Sequence, residues 1–324
     1  MKKNKILLIS VLILNLLSSC APKVKEGYDE KLGYSGNISI SGAFALYPIV
    51  VLWSEDFKKL HPHVRFNISA GGAGKGIADV LTNMVDIGLV SRDLHPQEIE
   101  KGALPLFVAK DAVLGTFNAN HPDAALLKTR GLTQAELQDI FTGNKYKTWR
   151  DIDRRFSNTA IGVYVRSDAA GAAETWAKFF KLSQEDLKGV GIFGDPGLAQ
   201  AIKDNTFAIG FNNINYVYDL KTQMTTPNIA VIPIDKNKNG KIDPEEDFYS
   251  NLDELIAAVA DHKYPSPPAR DLAFVIQKNN ASKLIKEFIH FVMAKQQQGY
   301  LLENGYVPLT DKQIELEFEK IHTP

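Results

Sequence analysis

Short apolar runs alternate with segments of helical periodicity from residue 37 onward. Residues 38–40 and 64–68 have the apolar, β-branched character of strands, and residues 49–60 and 76–84 after them place apolar side chains on one face of a helix. This alternation predicts an α/β protein in which crossover helices connect parallel strands.

A second unit of the same kind follows. Residues 133–141, 173–180 and 198–203 have helical patterns, and residues 161–166 have that of a strand. Two extended segments, 112–118 and 271–276, lie where the pattern passes from one unit to the other and back. We therefore expect two lobes joined by a double crossover. The expected divisions are a lobe one of residues 37–112 plus 270–312, a lobe two of residues 113–269 and a C-terminal tail of residues 313–324.

The N-terminus has the pattern of an export signal. Three lysines precede an apolar run, residues 6–17, which is too short to span a bilayer and ends in Leu-Ser-Ser-Cys. Residues 1–19 are predicted to be a lipoprotein signal peptide and Cys20 the lipidated first residue, which would anchor the protein in the cell envelope facing the periplasm or the exterior. A free thiol behind an ordinary signal peptide is the alternative. Residues 20–36, which lack apolar periodicity, are predicted to be a tether.

Composition narrows the class of partner. Loss of the three lysines changes the formal net charge from −1 to −4, and no basic run or heptad repeat is present. We expect no nucleic-acid partner and a monomer. Cys20 is the only cysteine, so once it is lipidated the chain has neither a disulfide nor a cysteine metal ligand.

Two glycine-containing loops join predicted strands to predicted helices. In residues 41–48, Gly42 permits a tight turn and Pro48 suits a first helical turn. Residues 70–76 add a cation, Lys75, but do not form a Walker motif, because Ser69 stands where the first glycine would be. Backbone N–H groups at such positions can bind an anion, although each loop taken alone is more often a structural turn than a functional one.

A third loop, residues 164–174, has the same strand-turn-helix form in the other lobe. Arg166 can donate two parallel hydrogen bonds to an oxyanion, and Asp168 can accept a proton from the ligand or orient Arg166. A buried Arg–Asp pair with a purely structural role is the alternative.

Together these segments resemble the phosphate-binding proteins of the type II periplasmic solute-binding class, which serve ABC importers. The resemblance runs from residue 38 to 309 through SGAFALYP, GGAGKG, VDIGLVSRDL with Asp86 and Ser91-Arg92, VRSDAAGAAE, residues 208–211 and residues 305–309. It implies a two-lobed type II periplasmic-binding-protein fold with a double-crossover hinge, phosphate as the first candidate ligand and an ABC permease as partner.

The resemblance also implies a set of ligand-binding positions. Hydroxyl side chains hold the anion in the phosphate binders, whereas Ala45, Ala73, Ala170 and Ala172 stand here. Backbone donors and three cations remain, so an oxyanion site is still expected, and an envelope-tethered scaffold that has lost phosphate binding is the alternative. The expected ligand-binding residues are Phe44, Ala45, Leu46, Gly74, Lys75, Ser91, Arg92, Arg166, Asp168, Gly171 and Ala172.

Residues 235–246 match an EF-hand calcium loop. Gly240 allows the central turn, and no second loop of this kind accompanies it, which favours a structural ion over a sensor pair. The alternative is a solvated turn in which Asp243 caps a helix that begins at Pro244. The expected ligands are Asp235, Asn237, Asn239, the carbonyl of Lys241, Asp243 and Glu246.

Catalytic motifs are missing from the sequence. No HExxH or GxSxG sequence occurs among its residues, and Arg166 with Asp168 has no adjacent nucleophile. The sequence therefore predicts a binding protein and not an enzyme.

Overall fold

The computed structural model describes residues 27–31, 33–143, 145–278 and 281–322, apart from the side chains of residues 295, 296 and 322. Strands and helices alternate along most of this range. The strands are β1 (Gly27–Asp29), β2 (Gly33–Gly42), β3 (His63–Ala70), β4 (Ile87–Val90), β5 (Ala103–Asn118), β6 (Gly162–Arg166), β7 (Val190–Ile192), β8 (Ala208–Asn213), β9 (Ile229–Val231) and β10 (Ala269–Gln277). The helices are α1 (Tyr47–Leu60), α2 (Ala73–Leu81), α3 (Pro96–Glu100), α4 (Ala124–Arg130), α5 (Gln134–Thr142), α6 (Trp149–Ile152), α7 (Gly171–Phe179), α8 (Gly194–Asp204), α9 (Leu252–Ala260), α10 (Lys283–Met293), α11 (Lys295–Gly299) and α12 (Asp311–His322).

Strand β5 belongs to both lobes. Its first part, residues 103–112, pairs antiparallel with β10, and its second part, residues 113–118, pairs antiparallel with β8 and β9. Residues 111–118 of this strand are all buried, including the polar side chains of Asp111, Thr116 and Asn118. The chain returns beside it, where the Val113 N–H donates to the Pro268 carbonyl at 3.1 Å.

The strands run in the order β1-β2-β4-β10-β5-β8-β6-β7, with β3 beside β2 and β9 beside β5. Pairing is parallel between β2 and its neighbours β3 and β4, and between β6 and its neighbours β7 and β8. Crossover helices connect these parallel strands, as the alternating pattern predicts.

Each lobe has its own hydrophobic core. In lobe one, α1 and α10 pack on the sheet through Trp53, Phe57 and Phe288. In lobe two, Trp176 of α7 packs against Phe141 and Phe211. This is the two-lobed α/β architecture predicted from the sequence.

The N-terminal boundary differs from the prediction. The expected tether extends to residue 36, but β1 and the start of β2 form an antiparallel hairpin on the edge of the sheet. Tyr28 and Tyr34 pack edge to face there, with ring centroids 5.1 Å apart. Two tyrosines in a polar segment are enough for a short edge hairpin, which apolar periodicity does not reveal. The signal peptide, Cys20 and residues 20–26 lie outside the described residues.

The predicted C-terminal tail is also corrected. Residues 311–322 form helix α12, which packs on lobe one through Ile321, 4% exposed. The buried carboxylate of Glu317 accepts the Phe107 N–H at 3.1 Å. The charged surface of this helix conceals a narrow apolar stripe at helical spacing.

None of the helices in the described ranges has the length and apolar character needed to cross a membrane.

Candidate functional site

The first glycine loop, residues 41–48, lies on lobe one where it faces lobe two. Gly42 has φ 134°, and a Cβ atom there would lie 2.3 Å from the Leu89 carbonyl oxygen. Only glycine fits this turn. Within the described residues, the N–H groups of Phe44 and Ala45 donate to no protein acceptor. The Leu46 N–H, at another predicted ligand-binding position, donates to the Ala43 carbonyl at 3.2 Å and is not free in this structure.

Two tyrosine hydroxyls fix this loop. Tyr216 of lobe two donates to the Phe44 carbonyl at 3.1 Å, and Tyr306 donates to the Ala45 carbonyl at 2.7 Å. Burial raises the pKa of both tyrosines, so both hydroxyls stay protonated. Because C=O and N–H point in opposite directions across a trans peptide, the Tyr216 bond turns the Ala45 N–H away from Tyr216.

In the second glycine loop, residues 70–76, two predicted anion donors already have partners within the protein. The Gly74 N–H donates to the Ala169 carbonyl of lobe two at 3.2 Å. The Lys75 ammonium pairs with Asp79 one helical turn away, and Asp79 also accepts the Ser41 hydroxyl at 2.6 Å. Burial opposes ionisation of Asp79, but the bonds from Lys75 and Ser41 outweigh it and lower its pKa. Gly74 and Lys75 thus have partners within the protein in this structure, and their role as anion donors stays a prediction.

Arg166 lies at the centre of the lobe junction with its side chain 1% exposed. Its Nε donates to Asp168 at 2.8 Å, its Nη2 reaches the other oxygen of Asp168, and its Nη1 pairs with Asp195. Burial alone would lower the pKa of Arg166, but the two carboxylates raise it. One cation faces two anions here, so the cluster is net negative. The alternative of a structural Arg–Asp pair describes this geometry.

Arg166 also contacts lobe one. Its guanidinium carbon lies 5.3 Å from the centroid of the Phe44 ring. The same ring meets Phe193 edge to face at 6.0 Å and lies against Gly194. Phe44 thus contributes a backbone donor to the first glycine loop, and its ring packs between the lobes.

Helix α7 brings lobe two against lobe one. The N–H groups of Gly171 and Ala172, in its first turn, have no protein acceptor in the described part of the chain. A Cβ atom on Gly171 would lie 2.2 Å from the hydroxyl oxygen of Ser91, which is itself 2% exposed. Glycine at 171 is required for this approach of the lobes.

Arg92 joins the lobes through an ion pair. Its Nη atoms bind both oxygens of Glu98 at 2.7 and 2.9 Å, and its Nε lies 3.0 Å from Glu174 of α7. Lys178 reaches back from lobe two to Asp93 at 3.1 Å. Arg92 is therefore paired with two carboxylates in this structure, and its role in anion binding stays a prediction.

Sequence reasoning finds Asp168 as a partner of Arg166 but misses two other carboxylates that neutralise the cations of the junction. Asp195 and Glu174 are distant in sequence from their partners, and only Glu174, in the first turn of α7, has a local signal. A further cluster at the crossover joins Arg270 to Asp111 at 2.8 Å, with Asn213 also bound. No sequence signal marks this pair, because its members are far apart along the chain.

The alanines at the expected hydroxyl positions are all buried. Their exposed fractions are between 0 and 2%. Methyl groups therefore lie at these positions, and none of them can donate a hydrogen bond. The four positions are Ala45, Ala73, Ala170 and Ala172.

The loop of residues 235–246 forms a closed turn on lobe two. The Asp235 carboxylate, in a residue only 2% exposed, accepts the N–H groups of Asn239 and Gly240 at 3.2 and 2.9 Å. Glu246, also buried, accepts the N–H groups of Lys236, Asn237 and Asp243. Two carboxylates from opposite ends of the loop are thus held facing its interior.

The remaining side chains of this loop converge on Asp243. The amide groups of Asn237 and Asn239 donate to it at 2.8 and 2.6 Å, and Lys241 pairs with it at 2.7 Å. These contacts, that of Lys241 first, lower the pKa of Asp243 to about 2. The described residues contain no group of three acidic, histidine or cysteine side chains already arranged around a metal. Rotation of both amides by half a turn would present oxygens in place of nitrogens.

Comparison with known proteins identifies the family to which the chain belongs. A family model described as a PBP superfamily domain matches residues 30–296. The chain belongs to the PBP superfamily. The predicted resemblance to phosphate-binding proteins is confirmed by relatives and solved structures of that description.

Two relatives span most of this chain. The phosphate-binding protein PstS of Bacillus subtilis is 27% identical over 97% of each chain, and that of Methanocaldococcus jannaschii is 24% identical over 80% of this chain and 79% of its own. A putative phosphate ABC transporter substrate-binding protein of Clostridium perfringens, solved with bound phosphate, superposes with a TM-score of 0.70 at 21% identity, over 85% of this chain and all of its own.

Proposed function

We propose that this protein binds an oxyanion, inorganic phosphate first, between its two lobes and delivers it to an ABC permease. Relatives named as phosphate-binding proteins, which match nearly the whole chain, support this function. In this proposal the protein acts as a monomeric receptor, without catalysis and without nucleic acid.

The observation that carries the proposal is the set of unoccupied backbone donors at the lobe junction. Phe44 and Ala45 in lobe one, and Gly171 and Ala172 in lobe two, each have an N–H group without a protein acceptor in the described residues. Those of lobe two are in the first turn of α7, where the helix dipole favours an anion. Ser91 adds a hydroxyl beside Gly171.

Calorimetry with inorganic phosphate on the mature protein tests this function. We expect saturable one-to-one binding, and native mass spectrometry of protein purified without added ligand should identify any anion that is already bound. Absence of binding of phosphate, sulfate, molybdate and tungstate at millimolar concentration would contradict it.

A scaffold that has lost anion binding is the second candidate. It is favoured by the pairing of Lys75, Arg92 and Arg166 with carboxylates and by the Gly74 bond to Ala169. The free backbone donors favour the receptor. The same calorimetry separates the two functions.

We further propose that a lipid on Cys20 anchors the mature chain in the cell envelope. The support is the signal sequence that ends at this cysteine. Cys20→Ala should move the protein from the membrane fraction to the soluble fraction, and unchanged partition would rule out the anchor.

A structural calcium ion in the loop of residues 235–246 completes the proposal. The donor set fits this ion, because Asp235, Glu246 and Asp243 supply carboxylates and the Asn237 and Asn239 amides supply oxygens after rotation. The Ile242 N–H donates to the Thr129 carbonyl at 2.8 Å, so a bound ion would fix this loop against α4.

A further inference from the structure

An apolar depression of about 550 Å³ opens at the lobe junction beside the first glycine loop. None of its lining side chains carries a charge, and the hydroxyl of Tyr216 is already bound to the Phe44 carbonyl. The walls therefore offer an apolar surface to whatever enters. The depression is lined by Phe44, Tyr47, Pro48, Val51 and Ala70 of lobe one and by Pro196 and Tyr216 of lobe two.

The lining residues continue directly into the candidate anion site. Phe44 supplies a free N–H to that site and its ring to the depression. Ala70 begins the second glycine loop, and Pro196 follows Asp195, the partner of Arg166. Phe44 therefore belongs both to the first glycine loop and to the wall of the depression.

The candidate anion site offers an oxyanion less positive charge and fewer side-chain donors than its free backbone N–H groups suggest. Arg166 faces two carboxylates, and buried methyl groups stand where hydroxyl donors are expected. A ligand that is only a compact, doubly charged oxyanion meets a net negative cluster and few side-chain donors. Burial of an apolar substituent adds binding free energy without requiring any further polar partner.

We propose that the ligand is a phosphoryl or phosphonyl oxyanion that carries an aryl or alkyl group, and that this group occupies the apolar depression. The inference rests on the proposed oxyanion function and names the ligand class for the same site. Both lobes line the depression, so the substituent would contact both when the cleft is closed.

Calorimetry with inorganic phosphate, methylphosphonate and phenylphosphonate tests this inference. Phenylphosphonate should bind about tenfold or more tightly than methylphosphonate, because only the larger group reaches the depression. Equal or weaker binding of phenylphosphonate, with phosphate bound, overturns the inference and leaves the proposed function intact. If none of the three binds, the inference is overturned, and the titrations with sulfate, molybdate and tungstate then decide the proposed function.

Two neighbouring substitutions on α1 supply a matched pair. Val51 lines the depression, whereas Leu52 is 42% exposed and is not among the lining residues. Val51→Asp should weaken phenylphosphonate binding by about tenfold and phosphate binding by less than about threefold, and Leu52→Asp should change both equally little. Val51→Thr gives the same test with a smaller change of fold stability.

Other occupants of the depression have distinct outcomes. Equal loss of all three ligands in Val51→Asp would show a general charge effect and overturn the inference. A dimer, found by light scattering, that Val51→Asp dissociates without changing phenylphosphonate affinity would assign the depression to a second copy and also overturn it.

Discussion

The lobe junction and the loop of residues 235–246 are both built from carboxylates and backbone N–H groups, but they are assembled differently. In the loop, Asp235 and Glu246 accept N–H groups from residues within the same twelve. At the junction, the partners of Arg166 and Arg92 include Asp195 and Glu174, from other elements. The carboxylates of the loop therefore bind neighbours in sequence, whereas those of the junction bind residues that only the fold brings close.

This difference determines what the sequence reveals. The loop pattern names its donors because every donor has a fixed place in a contiguous segment. At the junction, the cations and Asp168 are visible in sequence but the carboxylates of Asp195 and Glu174 are not, so the sequence overstates the charge available to an anion. A cation's role in a cleft depends on partners that only the fold brings to it.

The largest effect is expected from removal of Arg166. Arg166→Ala leaves the buried carboxylates of Asp168 and Asp195 without their cation, which should lower the free energy of unfolding by about 3–5 kcal/mol. It should also abolish detectable phosphate binding, because Arg166 is the predicted charged ligand from lobe two. Urea denaturation and calorimetry measure the two effects.

Arg130 provides the matched control for that variant. It lies in lobe two with its side chain 9% exposed and pairs with Glu136 and Asp153. Arg130→Ala should destabilise the protein similarly but leave the affinity for phosphate unchanged. Equal loss of affinity in both variants would show that Arg166 acts only through stability.

Calcium should produce the next largest effect. At a free concentration one hundred times its Kd, an ion that binds only the folded state adds about 2.7 kcal/mol to the free energy of unfolding. Chelation should lower the melting temperature accordingly. The calcium-dependent shift should vanish in Glu246→Gln and persist in Glu245→Gln, because Glu245 is exposed and is not a predicted ligand. A calcium-dependent shift of equal size in both variants would contradict a calcium site in this loop.

The fold is more predictable than the site. Strand and helix periodicity predicts β5 and β10 as the crossover segments and α1, α2, α5, α7 and α8 with their ends displaced by a few residues. The hairpin of β1 and β2 and helix α12 escape prediction because their apolar residues are few, and α12 is also held by a contact with the distant strand β5. Ion pairs such as Arg270–Asp111 escape for the same reason.

A smaller effect is expected at the ion pair between the lobes. Glu174→Gln removes the charge that Arg92 binds across the cleft and should reduce stability by about 1–2 kcal/mol. Without ligand, the radius of gyration in small-angle scattering should increase, because the closed arrangement loses this contact. Glu98→Gln weakens the ion pair that the same arginine makes within lobe one, and it should leave the radius of gyration unchanged. An equal radius in the two variants would show that the pair does not hold the lobes together.

The smallest effect is expected at Lys75, although its sequence context marks it as an anion ligand. Its side chain is 47% exposed and pairs with Asp79 on its own helix, so solvent screens both charges. Lys75→Ala should change the free energy of unfolding by less than about 0.5 kcal/mol and phosphate affinity by less than about threefold. Lys58→Ala, at an exposed lysine paired with Glu55 on α1, is the control for a general loss of positive charge. If calorimetry instead shows about a tenfold loss of phosphate affinity for Lys75→Ala alone, the lysine must leave Asp79 when an anion binds. The second loop would then belong to the anion site after all, and the Gly74 bond to Ala169 would describe the ligand-free cleft only.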